Sequence, residues 1–358
     1  MKGYTEIKSF EHPILLTGSR KILQDSITNL PFDRIMVLCD RNTWRDCFHY
    51  IAPALCKKSC HIHIIKEGED SKNLSTLEGI WNILSAEGFR RDDALLNLGG
   101  GVVCDMGGLA AATFHRGMQF IHVPTSLLAM VDAAIGGKNG VNFRGLKNQI
   151  GVFAFPYITL IYPVFLKTLP NRQIQSGFVE MLKHALLNGD DLWNRLSAIE
   201  HEEVMHHSHY ISEALKVKVS YVDKDPFDHG IRQALNLGHT AGHVFEEWSL
   251  LNQSEPMLHG EAIALGMLVE LGLSVKLTGL DENFALLASN VFRKHIHLPV
   301  PTLQDIGQLI DLAGFDKKNK DHFIRFSLLQ KVGKPVVQVA VSRETLSHAF
   351  RNTILSLT

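Results

Sequence analysis

The stretch ALLNLGGGVVCDMGG, residues 94–108, joins an apolar run of strand length to a glycine cluster and then to a helical segment. Glycines that follow a strand allow the backbone to approach a phosphate closely, and the next helix N-terminus offers free N–H groups and a positive dipole end. The spacing differs from the GxGxxG fingerprint, so a tight turn without a ligand is the alternative. The stretch predicts a strand–turn–helix unit suited to a phosphate-bearing ligand.

Outward from this stretch, short apolar runs alternate with segments of helical period in the first half of the chain. These runs are RIMVLCD (34–40), CHIHIIKEG (60–68), FIHVPT (120–125) and YITLIYP (157–163). Such alternation predicts βαβ units and a parallel sheet. After Pro170 the pattern predicts long helices at 174–188, 201–222, 236–250, 260–278 and 303–312. We expect an α/β nucleotide-binding domain with a parallel sheet over 1–165, a mainly α-helical domain over 166–358, and a site in the cleft between them.

The composition is that of an ordinary globular protein. Hydrophobic residues make up 45% and charged residues 20%, with 36 basic and 37 acidic side chains, so no nucleic-acid or membrane partner is expected. The five cysteines form no CxxC pair, which favours reduced thiols over a disulfide framework. The N-terminal residues lack a signal-peptide core, and no apolar run approaches the roughly 20 residues of a membrane span. We expect a cytoplasmic protein.

Histidines share one predicted helical face in NLGHTAGHVFEEW, residues 236–248. On one continuous helix, Asn236, His239 and His243 fall at i, i+3 and i+7, opposite an apolar face. A lone histidine is more often a structural or solvated side chain than a ligand. Two on one stripe, with His259 at the start of the next predicted helix, favour a metal site.

A carboxylate in the preceding helix is the candidate third ligand. Glu180, Lys183 and His184 share a face in GFVEMLKHALLN. A buried carboxylate, a lysine and imidazoles converging from three helices predict a catalytic zinc site with one coordination position left for substrate. The alternative for Glu180 and Lys183 is a surface pair worth only tenths of a kcal/mol.

Cationic side chains gather in and around the glycine-rich stretch IGGKNGVNFRGLKNQIG, residues 135–151. They are Lys138, Arg144 and Lys147, joined by the amide of Asn148, with Arg116, Lys218 and Arg232 elsewhere in the chain. A glycine-rich loop that carries lysines suits a phosphate or carboxylate ligand, although each charge taken singly is more often a solvated one.

Two further patterns have both a functional and a plain structural interpretation. Asp40, at the end of the predicted edge strand RIMVLCD, and Asn42 suit ribose hydroxyls, but Asp40 equally suits a helix N-cap. The histidine-rich run HEEVMHHSH, residues 201–209, has the composition of a metal site, but we interpret it as an exposed helix face.

The ordered motifs resemble the 3-dehydroquinate synthases within the sugar-phosphate cyclases. The matching stretches are GGGVVCDMGGLAAATFHRG, FIHVPTSLLAMVDAAIGGKNGVN, LKNQIGVF, LKTLPNRQIQSGFVEMLKH, IRQALNLGHTAGH and LHGEAIALGM, with a fainter match in DKKNKDHFIRFSLL at 316–329. They cover most of residues 95–270. The resemblance implies an N-terminal nucleotide-binding domain, a helical C-terminal domain, a homodimer, NAD, and zinc or cobalt.

The resemblance also implies a role for individual residues. The metal ligands would be Glu180, His239 and His259, and His243 would contact substrate instead. The other substrate contacts would be Asp132, Lys138, Asn148, Lys183, Lys218, Arg232, Asn236 and Arg325, with Arg116 from the neighbouring subunit. The NAD contacts would be Asp40, Asn42, Glu69, Lys72, Gly100, Gly101, Asp105, Thr125, Ser126, Lys147, Thr168 and Leu169.

The chain departs from the family pattern at four positions. Asn139 replaces the threonine of GGKTG, Ala241 the aromatic residue of GHTFGH, Pro226 the acidic residue of a DExE stretch, and Leu109 a phenylalanine. None replaces a charged or metal-binding position among the residues assigned above, so activity is expected.

By resemblance, the chain converts 3-deoxy-D-arabino-heptulosonate 7-phosphate, a phosphorylated keto-sugar acid, into 3-dehydroquinate and phosphate. The steps are transient oxidation by NAD, phosphate elimination, re-reduction and aldol cyclisation. Alternatives are a cyclase acting on sedoheptulose 7-phosphate or glucose 6-phosphate, a metal-dependent polyol dehydrogenase, and a non-catalytic NAD-binding protein. Lys218 and Arg232, assigned mainly to a carboxylate, favour the acid substrate.

Overall fold

The computed structural model describes residues 3–10, 12–296, 299–314 and 323–357. The chain divides into two compact units, one comprising Met1–Ile174 and Glu202–Phe227, the other Gln175–His201 and Asp228–Thr358. The predicted division at residue 165 stays a prediction. No helix in the described ranges has the length and apolar character needed to cross a membrane.

Strands and helices alternate along the first half of the chain, and helices dominate the second. The strands are β1 (Tyr4–Ser9), β2 (His12–Thr17), β3 (Arg34–Asp40), β4 (Ser59–Ile65), β5 (Ala94–Gly99), β6 (Gln119–Pro124), β7 (Lys138–Phe143), β8 (Leu146–Phe153), β9 (Ile158–Ile161), β10 (Phe323–Lys331) and β11 (Lys334–Ser342). The helices are α1 (Arg20–Thr28), α2 (Arg41–Asp46), α3 (Phe48–Leu55), α4 (Leu74–Ala86), α5 (Gly101–Thr113), α6 (Asn171–Asn188), α7 (Asp190–Leu196), α8 (Ser208–Lys224), α9 (His239–Asn252), α10 (His259–Thr278), α11 (Glu282–Arg293), α12 (Ile306–Leu312) and α13 (Arg343–Leu355).

The first unit contains a seven-stranded sheet in the order β1-β2-β9-β6-β5-β3-β4. β1 and β2 pair antiparallel, and every other neighbouring pair is parallel. All six residues of β5 are buried, as expected for an interior strand of a sheet covered on both faces. Apolar side chains of β3, β5, α4 and α5 form a core in this unit. The predicted α/β fold with a parallel sheet is confirmed.

Two predictions for the first unit are wrong in detail. The strand that ends at Asp40, β3, lies between β5 and β4, so β4 and not β3 is the edge strand. The reason is that β3 is almost wholly apolar and buried, whereas β4 carries histidines and is mostly accessible. The predicted glycine-rich loop over 135–151 is the antiparallel hairpin β7–β8. Its turn is Arg144–Gly145, and both residues have positive φ, as the tightest hairpins require.

The second unit is mainly helical, as predicted, with the antiparallel hairpin β10–β11 packed on it. Its core contains Phe245 and Trp248 of α9, Leu265 of α10 and Phe350 of α13. The predicted helix 236–250 begins only at His239, because Gly238 has left-handed φ (80°) and interrupts the helix.

The histidine-rich run at 201–209 is not an exposed helix face. Residues His201–Met205 form a 3-10 turn with Val204 buried, and α8 starts at Ser208. The helix predicted over 201–222 is therefore two elements. The segment predicted at 303–312 is likewise a 3-10 turn, Leu303–Asp305, followed by α12.

Candidate metal and nucleotide sites

Three helices of the second unit bring a carboxylate and two imidazoles together. Glu180 lies mid-helix on α6, His239 is the first residue of α9, and His259 is the first residue of α10. Nε2 of His239 and Nε2 of His259 each lie 3.5 Å from Oε1 of Glu180. The three ligand atoms lie within 4.8 Å of one another.

This donor set fits a divalent metal ion. A tetrahedral ion with bonds of about 2.1 Å holds its ligand atoms about 3.4 Å apart, close to the separations of Glu180 from the two histidines. Two imidazoles and one carboxylate are ligands that zinc accepts, and three protein ligands leave a position for substrate. Glu180 is fully buried, so its carboxylate needs cationic partners, which Lys183 and a bound metal ion would supply together.

Buried charges surround these three residues. The ammonium of Lys183 forms an ion pair with Glu180, and both side chains are buried, so the alternative of a surface pair is wrong. His184, the third member of the predicted face, is also buried. Burial lowers the pKa of His239 well below its ordinary value, and Lys183 acts in the same direction.

A second carboxylate contacts His259 from α9. Oε1 of Glu246 lies 3.5 Å from Nδ1 of His259, the ring nitrogen that does not face Glu180. Burial opposes the charged imidazolium, but the carboxylates of Glu180 and Glu246 outweigh it and raise the pKa of His259 to about 10. A carboxylate on the second nitrogen is the usual way to orient a metal-binding histidine.

His243 lies beside this cluster. Its ring centroid is 5.5 Å from that of His239 and 5.9 Å from that of His259, and its side chain is exposed. One of its ring nitrogens also falls within 4.8 Å of ligand atoms of Glu246 and His259. Distance alone therefore does not separate a ligand from a substrate-contacting group, and the role of His243 stays a prediction.

The other candidates of this unit lie on the 3-10 turn Ile231–Asn236 and on the β10–β11 hairpin. Asn236 ends the 3-10 turn Ile231–Asn236 and is exposed, so the assumption that it shares one helix with His239 and His243 is wrong. Arg232, on the same turn, is buried. Arg325 is exposed on β10 and donates to the carbonyl of Gln338 (3.3 Å). Residues 316–322 of the fainter motif lie outside the described residues.

In the first unit, the glycine cluster forms the predicted strand–turn–helix unit. Gly100 is the N-cap of α5 and has no side chain, so the first N–H groups of the helix receive no side-chain cap from this residue. A Cβ on Gly100 would lie 3.4 Å from Oγ of Ser126, which follows β6. Thr125 is buried, and its N–H donates to Gly99 (3.0 Å). This arrangement suits a phosphate.

A polar network connects α5 to the β7–β8 hairpin. The buried ammonium of Lys72 lies 2.5 Å from Oδ2 of Asp105 and also donates to the side-chain oxygen of Asn148. The amide of Asn142 donates to Glu69 (2.8 Å), and Asn142 accepts from the N–H of Asn148 (2.9 Å). Burial raises the pKa of Asp105, with Lys72 opposing the shift. Four of the predicted site residues therefore belong to one network.

The remaining candidates of the first unit are distributed over several elements. Nζ of Lys218 on α8 lies 2.6 Å from Oδ1 of Asp132. Asp40 caps α2 by accepting from the N–H of Thr43 (2.8 Å), so its N-cap interpretation is confirmed. The exposed candidates are Asn42, Arg116, Lys138, Lys147 and Thr168, whereas Gly101 and Leu169 are partly buried.

Glu246 and Glu270 have no place among the residues selected from sequence. Glu246 does carry a signal, since it follows His239 by seven residues and His243 by three and so shares their face. Glu270 lies in the apolar run of α10, and only its burial and its backbone partners reveal it.

Comparison with known proteins places these sites in a family context. Residues 62–176 match the family model described as 3-dehydroquinate synthase N-terminal, and residues 177–319 match that described as 3-dehydroquinate synthase C-terminal. A 3-dehydroquinate synthase from Parabacteroides distasonis is 38% identical over 327 residues, which is 90% of this chain and 92% of that protein.

Solved structures resemble the chain over nearly its whole length. A 2-deoxy-scyllo-inosose synthase complexed with carbaglucose-6-phosphate, NAD+ and Co2+ has a TM-score of 0.84 at 24% identity, covering 98% of this chain and 99% of its own. A 2-epi-5-epi-valiolone synthase from Streptomyces hygroscopicus with NAD+ and Zn2+ bound has a TM-score of 0.81 at 23% identity, with the same coverage. At these identities the likeness establishes the fold.

Proposed function

Because the chain belongs to the 3-dehydroquinate synthase family, we propose that it converts 3-deoxy-D-arabino-heptulosonate 7-phosphate into 3-dehydroquinate and phosphate. The observation that carries this proposal is the convergence of Glu180, His239 and His259 from three helices. A carboxylate and two imidazoles at these separations support a catalytic metal rather than a purely structural cluster.

Zinc, or cobalt in its place, would be held by Glu180, His239 and His259. When bound, the ion supplies Lewis-acid polarisation of a substrate oxygen. Lys183 holds the carboxylate of Glu180 through their buried ion pair, and Glu246 orients the ring of His259. His243 is the exposed imidazole beside them, and we assign it to proton transfer or to the substrate phosphate rather than to the ion.

NAD would bind on the first unit. The N-terminus of α5 at Gly100 and Gly101 suits the pyrophosphate, with the Lys72–Asp105 pair and the ends of β3 and β6 beside it. When bound, the cofactor supplies a hydride acceptor that returns the hydride later in the same turnover. The sequence-based division into a nucleotide-binding domain (1–165) and a metal- and substrate-binding domain (166–358) remains part of this proposal.

The substrate has two anionic ends, which cationic side chains would bind. We assign the phosphate to Lys138, Asn148 and, across a homodimer interface, Arg116. Lys218 and Arg232 would bind the carboxylate, and Asp132 orients Lys218 through their 2.6 Å ion pair. Arg116 has φ of 60°, an uncommon conformation for a non-glycine residue and one that clusters at functional sites. The enzyme would act in the cytoplasm, where its five free cysteines stay reduced.

A substrate panel tests this proposal. With NAD and zinc present, we expect phosphate release from the heptulosonate phosphate and little from sedoheptulose 7-phosphate or glucose 6-phosphate, which have no carboxylate. Lys218→Ala should raise KM for the acid substrate by about tenfold or more, because it removes a hydrogen bond between charged groups. Lys216→Ala, at an exposed lysine of the same helix, should not. Preferential turnover of a sugar phosphate without a carboxylate would contradict the proposal in favour of another cyclase.

A further inference from the structure

Glu270 is a fully buried carboxylate that lies on α10, eleven residues after His259. Its Oε2 accepts from the backbone N–H of Gly238 (2.6 Å) and its Oε1 from that of Ala241 (3.1 Å). These two N–H groups flank His239. Burial raises the pKa of Glu270 to about 8, and the backbone donors oppose the shift.

The first N–H groups of a helix have no partner within the helix and are usually satisfied by an N-cap side chain. The N-cap of α9 is Gly238, which has no side chain to do so. Glu270 provides this cap from a different helix. The cap therefore fixes α9 relative to α10, and not only the local backbone.

The two helices also approach each other closely at this point. A Cβ on Gly266 would lie 2.1 Å from the carbonyl oxygen of Gly238 and 2.5 Å from the nitrogen of Gly242, so the backbones are in direct contact. Gly266 and Glu270 are one turn apart on α10 and face the same turn of α9. Glycine contact sets the distance between the helices, and the carboxylate sets the position of α9 along α10.

The consequence concerns the two imidazoles. His239 is the first residue of α9 and His259 the first of α10, so the position of one helix on the other determines the separation of the two Nε2 atoms. Both rings lie at 3.5 Å from the same oxygen of Glu180, an arrangement that a shift of about 1 Å would disrupt.

We propose that Glu270 is a positioning residue: it caps α9 from α10 and thereby holds His239 at the separation from His259 that a metal ion requires. Glu270 would act through the backbone of α9, and it belongs to none of the groups of possible metal ligands found among the described residues. The inference rests on the proposed function only in taking His239 and His259 as metal ligands, because the interhelical cap itself is a property of the fold.

The test compares Glu270→Ala and Glu270→Gln with Ser274→Ala. Ser274 is buried one turn further along α10, donates to the carbonyl of Glu270 and accepts from the N–H of Leu329, and contacts neither α9 nor a proposed ligand in these bonds. It therefore controls for the general loss of a buried polar group. Each purified full-length protein is first shown to be folded by circular dichroism.

The first measurement is hydrogen–deuterium exchange of the metal-free proteins. Glu270→Ala should accelerate exchange in peptides covering 238–245, and Ser274→Ala should leave these peptides unchanged. Glu270→Gln keeps one acceptor oxygen and should fall between Glu270→Ala and the wild type. Unchanged exchange in Glu270→Ala would overturn the proposed cap, whether or not the protein binds metal.

The second measurement is zinc affinity by competition with a chelator, together with the visible spectrum of the cobalt-loaded protein. We expect Glu270→Ala to weaken zinc about 10- to 100-fold and to alter the cobalt spectrum, with partial recovery in Glu270→Gln. Wild-type affinity in a Glu270→Ala protein whose α9 exchanges faster would overturn the positioning role. A wild-type protein without zinc affinity would instead contradict the proposed function, and the exchange data would still decide the cap.

Discussion

At the scale of single residues, Glu180 organises the site. Its buried carboxylate is in contact with the ammonium of Lys183 and with the rings of His239 and His259. Removing a buried charge from such a cluster leaves the others uncompensated, so single substitutions here are expected to have large effects.

The first prediction concerns His259. His259→Ala should abolish zinc binding and turnover together, because it removes one of three ligands, while most secondary structure is retained. Metal analysis after dialysis, activity and circular dichroism measure the three quantities. Full activity in this variant would remove His259 from the site.

The second prediction separates His243 from the ligands. His243→Ala should retain stoichiometric zinc and bound NAD while turnover falls about 100-fold or more, as for a lost acid–base group. If His243 were instead a metal ligand, as its position four residues after His239 alone would indicate, His243→Ala would weaken zinc binding. A folded but zinc-free His243→Ala protein would instead make His243 a metal ligand.

Sequence patterns could predict the site residues whose spacing places them on one face of the same helix. Glu180 and Lys183 are three residues apart on α6, and their convergence with the histidines followed from residue type and from the family resemblance. Glu270 could not be predicted, because its partners are backbone N–H groups about 30 residues away and its neighbours are apolar. Asn236 does not lie on α9, because Leu237 and the left-handed Gly238 separate its 3-10 turn from that helix.

At the scale of elements, α10 is the helix on which the metal cluster depends most. It begins with His259, whose neighbour Gly260 donates its N–H to Oγ of Ser176 on α6 (2.9 Å), and it contacts α9 through Gly266. The helix thus touches both other helices that carry a proposed ligand.

The third prediction uses two glycines of α10. Gly266→Ala should lower the free energy of unfolding by about 1–3 kcal/mol and weaken zinc binding, because its methyl group would displace the backbone of α9. Gly272→Ala, with open space around its Cβ, should instead stabilise by roughly 0.4–1 kcal/mol. Denaturant titration of both variants decides, and equal stability would contradict the close approach of the helices.

The fourth prediction concerns two histidines of the sheet. Burial lowers the pKa of His12 to about 4 and, with His12 adding to the effect, that of His122 to about 3. Both rings are neutral in the folded state at neutral pH, whereas in the unfolded state they take up a proton near pH 6.5. Their contribution to stability is therefore complete above pH 6.5 and is lost progressively as the pH falls from 6.5 to about 4 for His12 and about 3 for His122. Each contributes a slope of at most about 1.4 kcal/mol per pH unit.

Denaturant titrations between pH 7 and pH 4 measure this slope. His12→Leu should make the fall in stability with pH shallower, because leucine does not titrate. The replacement should cost no hydrogen bond, since neither ring nitrogen of His12 has a hydrogen-bond partner within the described ranges. His206→Leu, at an exposed position, should leave the slope unchanged. A slope that His12→Leu does not alter would show that His12 is not buried in its neutral form.

The sheet itself was predictable from sequence because buried parallel strands are continuous apolar runs. The hairpins β1–β2, β7–β8 and β10–β11 were not, because their strands are partly polar and accessible and their pairing depends on turns. In β7–β8 the deciding feature is the positive φ of Arg144 and Gly145, which forms the turn of the hairpin. The glycine content of this stretch alone predicts a loop.

At the scale of the whole molecule, the proposal that Arg116 acts across a homodimer interface gives the fifth prediction. Mixed dimers of Arg116→Ala and Lys138→Ala chains should regain part of the activity that each variant loses, because one of their two sites has both cations. Co-expression with two different tags isolates the mixed dimer. Absence of any recovery would place both residues in a site built within one chain.

The central claim is that this chain is a metal-dependent 3-dehydroquinate synthase in which NAD is reduced and reoxidised in each turnover. The ratio of phosphate released to NADH formed tests this claim most directly. The assay uses zinc-loaded protein, limiting NAD and excess 3-deoxy-D-arabino-heptulosonate 7-phosphate. We predict many equivalents of phosphate per NAD with no net accumulation of NADH. Formation of one NADH per substrate consumed, without phosphate release, would contradict the account and identify a polyol-type dehydrogenase instead.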